Sequence, residues 1–524
     1  MFYQRSGLVG WAIVLLMAVA TGSEAVEVGE VVYTLDMNQA AKSAAPPAGG
    51  QWVDEGPGGS RCFKLSRDQR GGAGVSVPVD LSPWRGTVLT LSARVKADHV
   101  SEPAATYNGV KCMLHFATPS TGEHWRNPSG VHGTFDWKTI MCRVLVPEDA
   151  GEARLHLGLQ DSSGTVWFSD VKLTVARIKP ARTLEPGPTY KGHDLPRLRG
   201  VMSPNKFNEQ DFIDLEKWNV NLVRWQITRH WGRANTDLDL DDYDRWIDAE
   251  LDDLALALDA AARHGIKLVI DLHWPPGGRV DDMTLRMVLE KKYQDHFVKV
   301  WQRIAARFKG HPAVWCYDLI NEPVQNQPSP EGVADWLGVQ LLAARAIRQI
   351  DPDTAISIEV DQWDSAPAYA WLAPVDIPNV IYQVHMYWPG QFTHQGVHDK
   401  WQAPGLEYPG TIGSIHVDQQ ALRRHLQPVR EFQQQTGAHI YVGEFSAIRW
   451  APGADRFLSD CIEIFEEYGW DWTYHAYREW QGWSLEHPDG PPLQADRLPP
   501  DQRSKRAAVL LKWFAKNQRA VSSQ

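Results

Sequence analysis

Two rhythms of apolar and polar residues divide the chain. Over 27–178, apolar positions alternate with polar ones in short runs at 31–35, 75–79, 88–95, 113–116, 139–146, 153–159 and 166–175. A period of two puts every second side chain on one face of a strand, so each run predicts a half-buried β-strand. Gly- and Pro-containing segments separate the runs, and short strands with turns between them predict an all-β sandwich or jelly roll. From 197 onward the rhythm changes. Apolar runs at 198–202, 222–227, 267–273, 314–322, 355–360, 380–387, 440–446 and 470–477 alternate with amphipathic stretches such as 243–264, 293–308, 333–350, 419–435 and 456–468, and a last stretch covers 502–516. Eight strand-helix units predict a (β/α)8 barrel, an α/β fold, over 197–524. An open doubly wound sheet fits less well, because no Gly-rich phosphate loop follows the first strand. Between the two rhythms, 179–196 is broken by Pro and Gly and reads as a stiff linker.

The first 25 residues follow neither rhythm. Arg5, an apolar run over 8–20 and the small residues around Ser23-Glu24-Ala25 predict a signal peptide over 1–25, hence a secreted or periplasmic protein. The run is shorter than the ~20 residues of a membrane span, and no second one follows, so no membrane partner is expected after cleavage. The formal net charge of −11, without a basic stripe, argues against nucleic acid. Tryptophan shifts the expectation toward carbohydrate. The chain holds 24 Trp, more than a core needs, and their flat apolar faces suit the C–H faces of sugar rings. The five Cys (62, 112, 142, 316, 461) show no metal-ligand spacing. An odd count leaves at least one thiol free, and a bridge between Cys112 and Cys142 stays open.

Barrel enzymes carry their chemistry at the C-terminal ends of the strands. The predicted second strand carries Arg224. The third ends Asp271-Leu272-His273-Trp274, the fourth Asp318-Leu319-Ile320-Asn321-Glu322-Pro323, and the sixth Val384-His385-Met386-Tyr387-Trp388. The seventh ends Val442-Gly443-Glu444-Phe445, and the eighth runs Trp472-Thr473-Tyr474-His475-Ala476-Tyr477. Glu322 and Glu444 would therefore face each other across one mouth. Glycoside cleavage needs such a pair, one protonated to assist the leaving oxygen and one ionised to attack the anomeric carbon.

Asn321-Glu322-Pro323 and Gly443-Glu444-Phe445, in order with Arg224, His273 and His385-x-Tyr387, resemble glycoside hydrolase family 5, the cellulase-type barrel hydrolases, over roughly 197–517. The resemblance implies a retaining β-glycosidase, foremost an endo-β-1,4-glucanase, that needs no cofactor and no metal. Mannanase, exo-β-glucosidase or glycolipid-directed action are the alternatives within the family; a non-catalytic glycan-binding barrel is the alternative outside it. It implies Glu322 as acid/base and Glu444 as nucleophile. Arg224 and Tyr387 would bond the nucleophile, Asn321 the sugar 2-hydroxyl, and His273 and His385 further hydroxyls. The family places a Trp on strand eight under the sugar. Here His475 stands near that place, and Trp472, Trp480 and Trp483 are the candidate platforms. Trp274, Trp363 and Trp388 are candidates for outer subsites or for core, and Glu359 and Asp361 for sugar contacts or a helix cap.

The order Phe135-Asp136-Trp137-Lys138, 142–147, 153–159, 166–173 resembles the jelly-roll carbohydrate-binding modules attached to many polysaccharide hydrolases. That likeness implies a glycan-holding unit over 27–178, with Trp84, Trp125 and Trp137 as platforms and a structural calcium near Asp170. A sandwich that only braces the barrel is the equal alternative. The expected ligand is a β-linked poly- or oligosaccharide; oligomeric state is not legible.

Overall fold

The computed structural model describes residues 26–105, 107–119, 122–179, 190, 195–203, 206–230, 233–397, 405–413, 415–491 and 494–518. The predicted signal peptide and most of the predicted linker lie outside the described residues. The chain divides into two compact units, Met1–Pro180 and Ala181–Gln524.

The first unit is an eight-stranded antiparallel sheet built on one long strand, Glu152–Arg177. Its first half pairs with 73–80 of Cys62–Asp80 and with Gly109–Thr118; its second half pairs with 63–67 and with Val88–Val100. Phe63, Leu65, Leu91, Leu114, Leu157 and Phe168 form its core. Each such side chain contributes roughly 1.5–3 kcal/mol by leaving water. The apolar runs at 153–159 and 166–175 thus belong to one strand, not two. The polar stretch between them, Gln160 to Thr165, reads as a turn in sequence, yet it continues the ladder through a register shift opposite Arg67 to Ala73. Gly50–Val53, Gly122–Arg126 and the helix Met37–Ser43 were not expected; the strand Gly122–Arg126 buries no face and so leaves no alternation to read. All five Cys are free thiols, so the Cys112–Cys142 bridge left open above is not formed.

In the second unit, eight parallel strands close into a barrel: Arg199–Ser203, Leu222–Gln226, Lys267–Asp271, Val314–Asp318, Ala355–Ile358, Val380–Met386, Ile440–Phe445 and Asp471–Tyr474. The last pairs with the first, Thr473 opposite Gly200. Helices surround it. The longest, Leu240–Arg263, starts at Asp239, whose side chain accepts the N–H groups of Asp241 and Asp242, and ends with Arg263 near its negative pole. A nine-residue helix, Glu209–Lys217, adds to those expected, and strand five is followed only by the single turn Asp361–Asp364 and the 3-10 stretch Ala366–Trp371. Tyr190, within the predicted linker, is buried and accepts a hydrogen bond from Trp315 Nε1 at 2.5 Å.

Strand alternation sorts the barrel's side chains. Val223, Trp225, Leu268 and Ile270 pack with the helices. The inward positions are apolar at one end, where Leu222, Val269, Cys316, Ile381 and Tyr441 form a separate small core. One pleat further along the strands they turn polar: Arg224, Asp271, Asp318, Gln383. That switch marks the mouth.

Candidate active site

Arg224 is the hub of the mouth. It is fully buried and its three nitrogens all point at acids. Nη1 donates to Glu444 Oε1 at 2.6 Å and Nε to Asp318 Oδ2 at 2.8 Å. Nη2 donates to Glu359 Oε1 and Asn321 Oδ1, each at 3.1 Å, and lies 3.2 Å from Asp271 Oδ2. Glu444 also accepts from the Tyr387 hydroxyl at 2.8 Å. Burial opposes ionisation of Glu444, but the positive charge of His475 and of Arg224, 2.6 Å away, outweighs it and holds this carboxyl well below the usual range. Glu444 is therefore a carboxylate, aimed by two donors.

Glu322 stands opposite and is more open, its side chain 20% exposed. Its Oε1 faces His385 Nδ1 at 3.0 Å. One carboxylate oxygen of Glu322, one of Glu444 and a nitrogen of His385 all lie within 4.8 Å of one another. The backbone of Glu322 has φ 49°, in the left-handed region. Arg279 Nη2 donates to the carbonyl oxygens of Asn321 and Glu322 at 3.1 and 2.9 Å, and Glu359 Oε2 accepts the Glu322 N–H at 2.5 Å.

The structure thus brings Arg224, Asn321, Glu322, His385, Tyr387 and Glu444 to one place. His273 joins them through Asp271, whose Oδ2 lies 2.8 Å from its Nδ1. Trp472 does not. It is fully buried, its Nε1 bonded to Glu466 and its ring stacked 5.6 Å from Phe514, because its place on the strand points it at the helices. As a sugar platform it is a corrected expectation. Trp480 is 40% exposed and meets Trp450 and Trp483 edge-on; Trp483 lies against Tyr387, His394 and His475. Among the outer candidates, Trp274 is buried and bonded to Asp237, Trp388 stacks on His425, and Trp363 is 43% exposed under the guanidinium of Arg279. Asp361 accepts the N–H groups of Gln325 and Gln362, which ties two loops together.

Beneath these lies a layer of acids that motif reading passes over. Burial pushes Asp318 up to about 6 against the pull of Arg224, and burial pushes Asp364 well above the usual range. Asp271 and Gln383 stand two residues before His273 and His385 on the same strands, and that parity is the signal that finds them; Asp364 lies in the turn Asp361–Asp364, outside any strand. Glu359, Asp364 and His385 form a second set of close ligand atoms besides Glu322, His385 and Glu444. Arg224 already supplies cationic charge to both Glu359 and Glu444, which disfavours a divalent ion there. These are the two such clusters among the described residues, and Asp170, paired with Lys172 at 3.3 Å, belongs to neither.

Endoglucanase C of Acetivibrio thermocellus is 27% identical over 248 residues, 41% of this chain and 70% of that protein. Cellodextrinase A of Ruminococcus flavefaciens is 26% identical over 285 residues, 53% of this chain and 80% of that protein. A crystal structure of a glycoside hydrolase aligns with TM-score 0.49 at 21% identity, over 60% of this chain and 99% of its own. The cellulase model of glycosyl hydrolase family 5 matches residues 188–486, more than half of the chain and all eight barrel strands, and the chain belongs to that family of glycoside hydrolases.

Proposed function

We propose that the chain is a retaining β-glycosidase, an endo-acting β-1,4-glucanase, with Glu322 as acid/base and Glu444 as nucleophile. The approach of their carboxylate oxygens to within 4.8 Å carries this reading. Direct attack needs carboxyl groups about 5–5.5 Å apart, whereas an inverting enzyme keeps about 6.5–9.5 Å for a water. Glu444, ionised and held by Arg224 and Tyr387, attacks the anomeric carbon while Glu322 gives its proton to the leaving oxygen. A glycosyl ester on Glu444 results. Glu322 then takes a proton from water, which cleaves the ester and releases the sugar with its original configuration. The names of the relatives, endoglucanase and cellodextrinase, support a β-1,4-glucan as substrate.

The test is direct. Proton NMR of the first product from a cello-oligosaccharide should show the β-anomer. Glu322→Gln should lower kcat by about 10²–10⁴-fold, and Glu444→Gln should abolish turnover. An α-anomer first product rejects the mechanism, and unchanged activity in both variants rejects catalysis at this site.

We also propose that the first unit binds glycan. A cleft of about 760 Å³ is lined by Tyr107, Lys111, His115, Trp125, Asn127 and Gln160. Trp125 is 59% exposed, with one face stacked on His115 at 3.5 Å. Trp84 packs against the core and is not such a surface, and Trp137 is half-buried. Polymer degradation outside the cell suits the export read from 8–20.

A further inference from the structure

Glu359 directly follows the fifth strand, is fully buried, and reaches Glu322 by two routes. The first is direct. Its Oε2 accepts the Glu322 N–H at 2.5 Å, while Arg279 holds the Glu322 carbonyl oxygen at 2.9 Å. A residue at φ 49° turns its side chain by virtue of that backbone, and L-residues leave this region readily unless both ends of the peptide are held. The second route runs through Gln383. Its Nε2 donates to Asp318 Oδ2 at 3.1 Å and to Glu359 Oε1, so the amide nitrogen, not the oxygen, faces His385 Nε2 at 3.3 Å. An amide nitrogen offers no lone pair. His385 Nε2 must therefore accept, its proton sits on Nδ1, and Nδ1 donates to Glu322 Oε1 at 3.0 Å. Gly443 makes room for this amide, since a Cβ there would lie 2.4 Å from Gln383 Cδ.

We propose that Glu359 is a positioning residue acting through Glu322: one carboxyl group sets both the backbone turn and, by way of Gln383 and His385, the side-chain oxygen of the proton donor. This rests on reading Glu322 as the acid/base. Leaving-group dependence tests it. Departure of a sugar alcohol needs the proton from Glu322, whereas 2,4-dinitrophenolate leaves without one. The value of kcat/KM reports this first step. Glu359→Gln keeps the volume but replaces one acceptor oxygen by a donor. Its kcat/KM on a cello-oligosaccharide should fall about 10²-fold, and on 2,4-dinitrophenyl β-cellobioside far less. Gln383→Met, which breaks only the second route, should show the same pattern in weaker form and serves if Glu359→Gln does not fold. Equal losses on both substrates, or no loss on either, overturn the proposal, because support of Arg224 and Glu444 alone would slow both alike. Glu322→Gln is measured alongside. If it too lacks the leaving-group signature, the reading of Glu322 fails; if it shows the signature and Glu359→Gln does not, only the positioning role fails.

Discussion

His475 shows how much one side chain can change a sugar site. It follows the eighth strand, across a cis peptide to Ala476, where the family resemblance expects an aromatic platform. Its Nε2 lies 3.1 Å from Glu479 Oε2, and Glu479 also accepts from Gln226 Nε2 at 2.8 Å. Tyr387 and Trp483 pack around the ring. Burial disfavours the imidazolium, yet Glu479, then Glu444 and Glu322, lift His475 to about 9. A cation here also helps keep Glu444 ionised. The folded pKa lies above the ordinary value near 6.5. Its stabilisation is therefore complete below about 6.5 and is lost as pH rises through about 9, a change on the order of 3 kcal/mol. Urea midpoints for the wild type and His475→Gln should differ by a constant amount below pH 6.5 and converge between 6.5 and 9. A difference independent of pH over that window would mean that His475 is neutral. The two Glu and Arg224 stand out in sequence because each sits at a strand end in a short motif. Glu479 and Gln226 do not, because a loop carboxylate and a strand amide look like ordinary surface until the fold brings them 2.8 Å apart.

At the scale of elements, the eighth strand decides which Trp can meet a ligand. Asp471–Tyr474 alternates, and Thr473 bonds inward to Tyr441 and the Gly443 carbonyl oxygen, so Trp472 must face outward into the helices. Trp472→Ala should cost about 3–5 kcal/mol of stability and leave KM for cello-oligosaccharides unchanged. Trp480→Ala should raise KM with little shift in the thermal midpoint, since its ring is 40% exposed. Should Trp472→Ala raise KM in a protein of normal stability, the outward orientation is wrong. Strand-helix alternation was legible along the barrel because buried parallel strands are nearly continuous apolar runs and the helices are amphipathic. The exact ends were not, since the polar residues that close each strand belong to the mouth and carry the same alternation beyond the last ladder pair. The short helix Glu209–Lys217 escaped because only Phe212 and Leu215 are buried along it, too few to show a period. In the first unit the strand Glu152–Arg177 was read as two, because residues 160–165 are polar and the ladder through them is irregular.

At the scale of the whole molecule, two units each present aromatic surface, and they answer to different properties of a substrate. The barrel mouth acts on a bond, so its contribution appears with any chain long enough to span the two Glu. The cleft proposed to bind glycan on the antiparallel unit has no acid pair in its lining and would contribute only by holding chain, which matters when substrate is insoluble and its local concentration is set by adsorption. The net charge of −11 offers nothing to a polyanion, which fits the neutral polymer proposed as ligand for both surfaces. Trp125 and Tyr107, 59% and 65% exposed, are the rings free to stack on sugar, and Asn127 and Gln160 line the same cleft with amides that suit hydroxyl groups. Trp125→Ala should therefore weaken adsorption to insoluble glucan about tenfold, the effect of ~1.4 kcal/mol for one stacked ring. Hydrolysis of soluble cello-oligosaccharides should stay at the wild-type rate. A fall in both would place Trp125 in the folding of the unit, and unaltered adsorption would reject glycan binding at this cleft.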